Sequence, residues 1–191
     1  MLFRSRETEG ILANTDFIAG AKVLSQKGLS LDIMQSFPQM PEIAVFAKAV
    51  PELPIIVNHI GGVSRVGIFA GKDDEIIPVW KAGITALAAC PNVTMKLGGM
   101  GMPRFGYDWH AREVPIGSEE LAEAMHPWME HCIEQFGPDR CMFESNFPPD
   151  KVSFSYNFMY HALKRLSKEY SASDRAALFH DTAVRVYGIE A

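Results

Sequence analysis

The stretch "PIIVNHIGG", Pro54 to Gly62, opens as a continuous apolar run and then turns abruptly to Asn58, His59 and two glycines. An apolar run without polar alternation is the pattern of a strand buried on both faces, as in parallel sheets covered by helices. A histidine at the end of such a strand has four readings: a metal ligand, a general base, a hydrogen-bond donor to substrate, or a core histidine with a satisfied partner. What else reaches the same edge of the same sheet decides between them.

Three more segments have the same character on either side: "LSLDIMQ" (29–35), "VTMKLGG" (93–99) and "CMFESNFPP" (141–149). Each is apolar at its start and polar or glycine-bearing at its end. Helical periodicity fills the intervals. Asn14, Thr15 or Asp16 can cap a helix through "FIAGAKVLSQ", stopped by Lys27-Gly28. "MPEIAVFAKAVPE" has Pro41 at its start and an apolar stripe at Ile43, Phe46, Ala47 and Val50. Further helices are expected from about Ile76 to Ala89, from Ser118 to Phe136 before Gly137-Pro138, and at Ser155–Glu169 and Ser173–Tyr187. Strands alternating with helices give an α/β fold of successive parallel βα units. Ligands of such sheets collect at the carboxyl ends of the strands, where His59, Lys96, Glu144 and Asn146 fall. Side-chain alternation puts Val57 and His59 on one face, Thr94 with Lys96, and Glu144 with Asn146, so four polar groups can point inward together.

With 191 residues, 48% hydrophobic and 21% charged, the chain reads as a single globular domain over 1–191. A formal charge of -5 without a Lys/Arg cluster gives no footprint for nucleic acid or anionic lipid, so neither partner is expected. Cys90, Cys132 and Cys141 are odd in number, far apart and form no CxxC, which fits a reducing, cytoplasmic setting. "LFRSRETEGILANTDF", after Met1, has no apolar stretch of leader or membrane-spanning length.

Taken together, "LSLDIMQSFPQMPEIAVFAKAVPELPIIVNHIGG", "CPNVTMKLGGMGMP", "YDWH", "FGPDRCMFESNFPPDK" and "ALFHDTAVRVYGI" resemble the amidohydrolase superfamily. The likeness is to its TIM-barrel hydrolases related to pyrone-dicarboxylate and sugar-lactone lactonases. It covers nearly everything after Asp16. It implies that the four strands are strands five to eight, the C-terminal half of a (β/α)8 barrel that usually takes about 250 residues. The family's first-strand His-x-His pair does not occur in this chain. The resemblance therefore implies either a truncated half-barrel or one completed by a homodimer mate or a complementing N-terminal half-barrel chain.

The same resemblance assigns roles. His59 matches a strand-six histidine that related enzymes use as a metal ligand or to hold substrate and activate water. Asn146 stands where the wider family has Asp, and an amide cannot act as a carboxylate base. Glu144 could supply that function, or pair with a lysine such as Lys96. Lys96, Gln39, Trp109 and His110 are candidate contacts for a small-molecule substrate, with ion pairing, turn stabilisation and rim packing as their competing roles. Arg65 reads as solvated and Asp150 as a turn or cap residue. A divalent metal such as zinc and a metal-independent mechanism are both open, His59 being the one clear ligand candidate. The implied activity is hydrolysis of a lactone or similar cyclic ester by water attack on a carbonyl, with decarboxylation or a non-catalytic subunit as alternatives.

Overall fold

The computed structural model describes residues 10–190; Met1 to Glu9, where part of the leader reading falls, and Ala191 lie outside them. Four strands form one parallel sheet in the order of the chain: β1 (Leu31–Ile33), β2 (Ile55–Val57), β3 (Val93–Leu97) and β4 (Cys141–Phe143). Between and after them run α1 (Thr15–Gln26), α2 (Met40–Ala49), α3 (Asp73–Ala88), α4 (Ser118–Phe136) and α5 (Tyr156–Leu166). A short α6 (Ala172–Ala176) continues through a π turn, Ala177–Asp181, into α7 (Thr182–Tyr187). The α/β reading and the order of elements hold.

Local chemistry sets the boundaries. Asn14 is the residue that caps α1, its Oδ1 accepting from the backbone N–H of Asp16 and Phe17 at 2.8 and 3.1 Å. Gly117 holds the capping position of α4, and Ser118 is its first helical residue, as the sequence suggests. α3 begins earlier than its apolar periodicity suggests, because Asp73, Asp74 and Glu75 occupy its first turn, where acids favour the helix dipole. The C-terminal segment was expected to be one helix; the π turn interrupts it and brings Phe179 edge-on to Phe143, ring centroids 4.8 Å apart.

Register divides the sheet into two unlike faces. Leu31 pairs with Ile55, Ile55 with Val93, Val57 with Met95, and Met95 with Cys141, so these side chains share one face. That face packs on the helices in the main core, with Phe46, Trp80, Leu87, Met125 and Met129 buried against it. The opposite face carries Asp32, Ile56, Thr94, Lys96 and Met142. Ile56 and Met142 are buried but stand apart from the main core cluster. Across this second face lies Tyr187 from the end of α7. Its hydroxyl donates to Asp32 Oδ1 at 2.8 Å, and Lys96 Nζ sits 5.1 Å from its ring centroid. The C-terminal segment thus passes around the β4 end of the sheet, from Phe143 on one face to Lys96 on the other.

The amino ends of the strands hold structural ties. Asn92 Nδ2 donates to the carbonyls of Ala47, Val50 and Leu53, each at 3.1 Å, closing the end of α2 and the turn after it. Arg140 donates from Nη1 to Cys90 O at 3.1 Å and from Nη2 to Ala88 O at 3.0 Å, closing α3. Removing the amide in Asn92→Ala strands half-buried carbonyls and is expected to cost about 2 kcal/mol. Thermal denaturation should show that loss as a midpoint lower by about 4–8 °C for a domain of this size.

Candidate functional site

β2 stops at Val57, and the next residues leave the strand alternation altogether. His59 and Ile60 have φ of 55° and 47°, followed by Gly61 and Gly62 at 76° and 67°, a left-handed turn costly for the two non-glycine residues. The expectation that His59 would follow the parity of Val57 is therefore not met. Val57 faces the helices, and it is the turn that swings the imidazole to the carboxyl edge of the sheet. The room for that turn comes from absent side chains. A Cβ on Gly62 would lie 1.8 Å from Gln35 O, and one on Gly61 would lie 2.4 Å from Met40 Sδ. Trp80 Nε1 donates to Ile60 O at 2.8 Å and pins the strained peptide from below.

Glu144 continues β4 by one residue, its N–H donating to Leu97 O at 3.1 Å, and keeps the parity of Met142. Its Oε1 accepts twice from His59: from the backbone N–H at 3.1 Å and from ring Nδ1 at 2.5 Å. With His59 and Glu144 side chains 13% and 15% exposed, the pair is shielded yet reaches the surface. A carboxylate on Nδ1 fixes the tautomer with its proton there and leaves Nε2 as the acceptor. Gly98 and Gly99 are the floor: a Cβ on Gly98 would meet Glu144 Cγ at 2.4 Å, and one on Gly99 would meet His59 Cβ at 2.7 Å.

Asn146, at φ 50°, is a second left-handed residue at this rim. Its Nδ2 donates to Asp150 Oδ1 at 2.6 Å, while Asp150 Oδ2 accepts from Gly101 N at 3.1 Å. Asp150 was expected to be a turn or cap residue, yet it is 0% exposed. Burial pushes its carboxyl up to about 6, opposed by the Gly101 and Asn146 hydrogen bonds and by the nearby His59, and reinforced by Glu144. The signal for Asp150 in the sequence is the Asn-x-x-x-Asp spacing directly after a strand.

The remaining candidates separate. Lys96 pairs with Asp32, Nζ to Oδ1 3.5 Å, and not with Glu144. Gln39 is 1% exposed with Nε2 unpartnered, in the turn before α2. Trp109 is buried and stacks on Tyr107, centroids 4.3 Å apart and planes 6° from parallel, whereas its neighbour His110 is exposed. Arg65, read as solvated, is held by Asp73 through Nε at 2.8 Å and Nη2 at 2.5 Å, and lies 5.0 Å from the Tyr107 ring centroid. Arg104 Nη2 donates to Gly62 O at 2.9 Å and Arg65 N to Arg104 O at 2.9 Å, stapling the loop after β2 to the loop after β3.

The site thus gathers His59, Glu144, Asn146 and Asp150 from the ends of β2 and β4. A match to the amidohydrolase family spans residues 9–189. The chain belongs to the amidohydrolase family. Among curated relatives, it is 36% identical over 171 residues to the uncharacterized protein y4mH of Sinorhizobium fredii, covering 89% of this chain and 50% of that one. It is 24% identical over 184 residues to the L-fucono-1,5-lactonase of Burkholderia multivorans, covering 96% of this chain and 59% of that enzyme. A crystal structure of a Burkholderia multivorans amidohydrolase with bound zinc superimposes with a TM-score of 0.83 at 24% identity, over 97% of this chain and 62% of that one. The chain therefore spans half to three fifths of the length of these proteins.

For a divalent cation the donor set of this amidohydrolase chain does not fit. Among the described residues no group of three or more His, Cys, Asp or Glu side chains is arranged to hold a metal ion. His59 keeps Nε2 alone as a ligand atom, and Asp150 spends both oxygens on Asn146 and Gly101, so three free protein ligands are not assembled. Among the described residues, moreover, no helix is long and apolar enough to cross a membrane.

Proposed function

We propose that the chain hydrolyses a lactone or similar cyclic ester, with His59 as the base that activates water. The observation that carries this reading is the His59 Nδ1 to Glu144 Oε1 contact of 2.5 Å at the carboxyl edge of a parallel sheet. Glu144 orients the ring and stabilises the imidazolium that forms, a base-plus-orienter arrangement. Water attacks the carbonyl carbon and gives its proton to Nε2. The endocyclic C–O bond then breaks, the leaving alkoxide takes up that proton, and a hydroxy acid departs. Asn146, its Nδ2 committed to Asp150, offers its carbonyl oxygen to a proton of the attacking water. Lys96 lies on the second face of the sheet, where Asp32 shares its charge, and Gln39 Nε2, buried in the turn before α2, is a donor without a protein partner. The relative named for L-fucono-1,5-lactone supports the choice of ester.

The test is acid release in a pH-stat, with L-fucono-1,5-lactone as the probe and a matched blank for spontaneous ring opening. Acceleration over the blank that depends on enzyme concentration is the expected result. A trace identical to the blank with folded protein overturns the reading for this ester.

On this reading β1 to β4 correspond to strands five to eight of the barrel. A second reading is favoured by the sheet itself: β1 and β4 are both end strands, with no further strand among the described residues. Such edges invite pairing, and a second copy or a complementing half-barrel chain would supply it. Acting as an assembly subunit is the functional form of that reading.

A further inference from the structure

Asp150 is the one buried acid at this rim that the proposed hydrolysis does not use. It is 0% exposed, and both carboxylate oxygens are spoken for: Oδ1 by Asn146 Nδ2 at 2.6 Å, Oδ2 by Gly101 N at 3.1 Å. Its own N–H donates to Asn146 O at 3.0 Å, so it holds the left-handed Asn146 by both backbone and side chain. Gly101 makes the approach feasible, since a Cβ there would lie 2.8 Å from Asp150 Cβ and Cγ.

An ionised carboxylate only accepts hydrogen bonds. Asn146 must therefore turn its NH2 group toward Asp150, and its carbonyl oxygen becomes the free end of the amide. Among the described residues nothing donates to that oxygen. Asparagine at this strand end would otherwise be ambiguous, because amide and carbonyl are nearly alike in shape and either could face a ligand.

We propose that Asp150 is a positioning residue that locks the Asn146 side chain with its carbonyl oxygen, an acceptor, presented at the rim shared with His59 and Glu144. The lock makes the rim acceptor-only at this point, suited to a water or a hydroxyl that donates. The relevance to catalysis rests on the lactone reading, while the lock itself does not.

Two measurements test it separately. The first follows the side-chain 15N–1H2 signals of Asn146, assigned by their absence in Asn146→Asp. One proton shifted downfield is expected in the wild type from its short bond to a carboxylate, with that shift lost in Asp150→Asn. Equal proton shifts in both proteins would overturn the lock. The second compares acid release from L-fucono-1,5-lactone by Asp150→Asn and by Ser153→Ala. Ser153 Oγ donates to Gly101 O at 2.6 Å and ties the same two loops without touching Asn146. A tenfold or greater fall in kcat with KM within twofold is expected for Asp150→Asn, and less than a threefold change for Ser153→Ala. Equal losses in the two variants would reduce Asp150 to a loop tie and overturn the positioning role. If the wild type leaves the lactone untouched, the reading for that ester falls, and the Asn146 signals still decide the lock.

Discussion

Replacing His59 by glutamine is expected to lower kcat/KM for lactone hydrolysis by about 10²–10⁴-fold, the range a positioned general base contributes. The loss should fall in kcat, because the ring acts on the attacking water. Glutamine keeps the backbone N–H that Glu144 also accepts, at 3.1 Å in the wild type, so the turn retains one of its two ties. Circular dichroism should show an unchanged fold, and the thermal midpoint should stay within a few degrees. Glu144→Gln is the informative partner. A double-mutant cycle with it should be strongly non-additive, since both residues serve one proton transfer. Additive losses would mean that the two act separately, contrary to the 2.5 Å contact.

The second large effect is expected at a residue with no side chain. Gly99 has φ of 73°, and a Cβ there would fall 2.7 Å from His59 Cβ and Cγ and 2.8 Å from Nδ1. Gly99→Ala therefore meets two penalties. The left-handed conformation costs an alanine about 1–2 kcal/mol. Overpacking against a ring that is already bonded costs about 1–3 kcal/mol more. Chemical denaturation should show a loss of about 2–5 kcal/mol as the sum of those terms. Activity should fall with it, because the cheapest relief is to rotate His59 off Glu144. Gly117→Ala is the contrast: an added Cβ meets nothing within 4 Å there, and φ is ordinary, so little change in either quantity is expected.

The scaffold was legible in the sequence because hydrophobic burial writes itself in periods. Apolar-rich runs marked β1 to β4, and stripes such as Ile43, Phe46, Ala47 and Val50, all four buried, marked the helices. The rim was legible as residue types but not as partners. Strand parity is valid only while the chain stays extended, and His59 departs from it by a left-handed turn that nothing in a period-two count encodes. Glu144 was a candidate partner for Lys96, yet Asp32 on β1 takes the lysine, a pairing fixed by strand order and by Tyr187. Asp150 was misjudged for a related reason. A lone acid after Pro148-Pro149 is the ordinary composition of a turn, and only the packing of Gly101 against it makes it interior. "LGGMG" carried more information than it showed, since three of its glycines are the contact surfaces of Glu144, His59 and Asp150.

The contact of Tyr187 with Asp32 joins residues 155 positions apart. A contact so distant in sequence adds to the share of non-local pairings, which across small domains goes with slower folding. It also makes the last turn of the chain a cover: trimming the chain before Tyr187 would lay bare the strip of sheet bearing Lys96, on the side away from the helices.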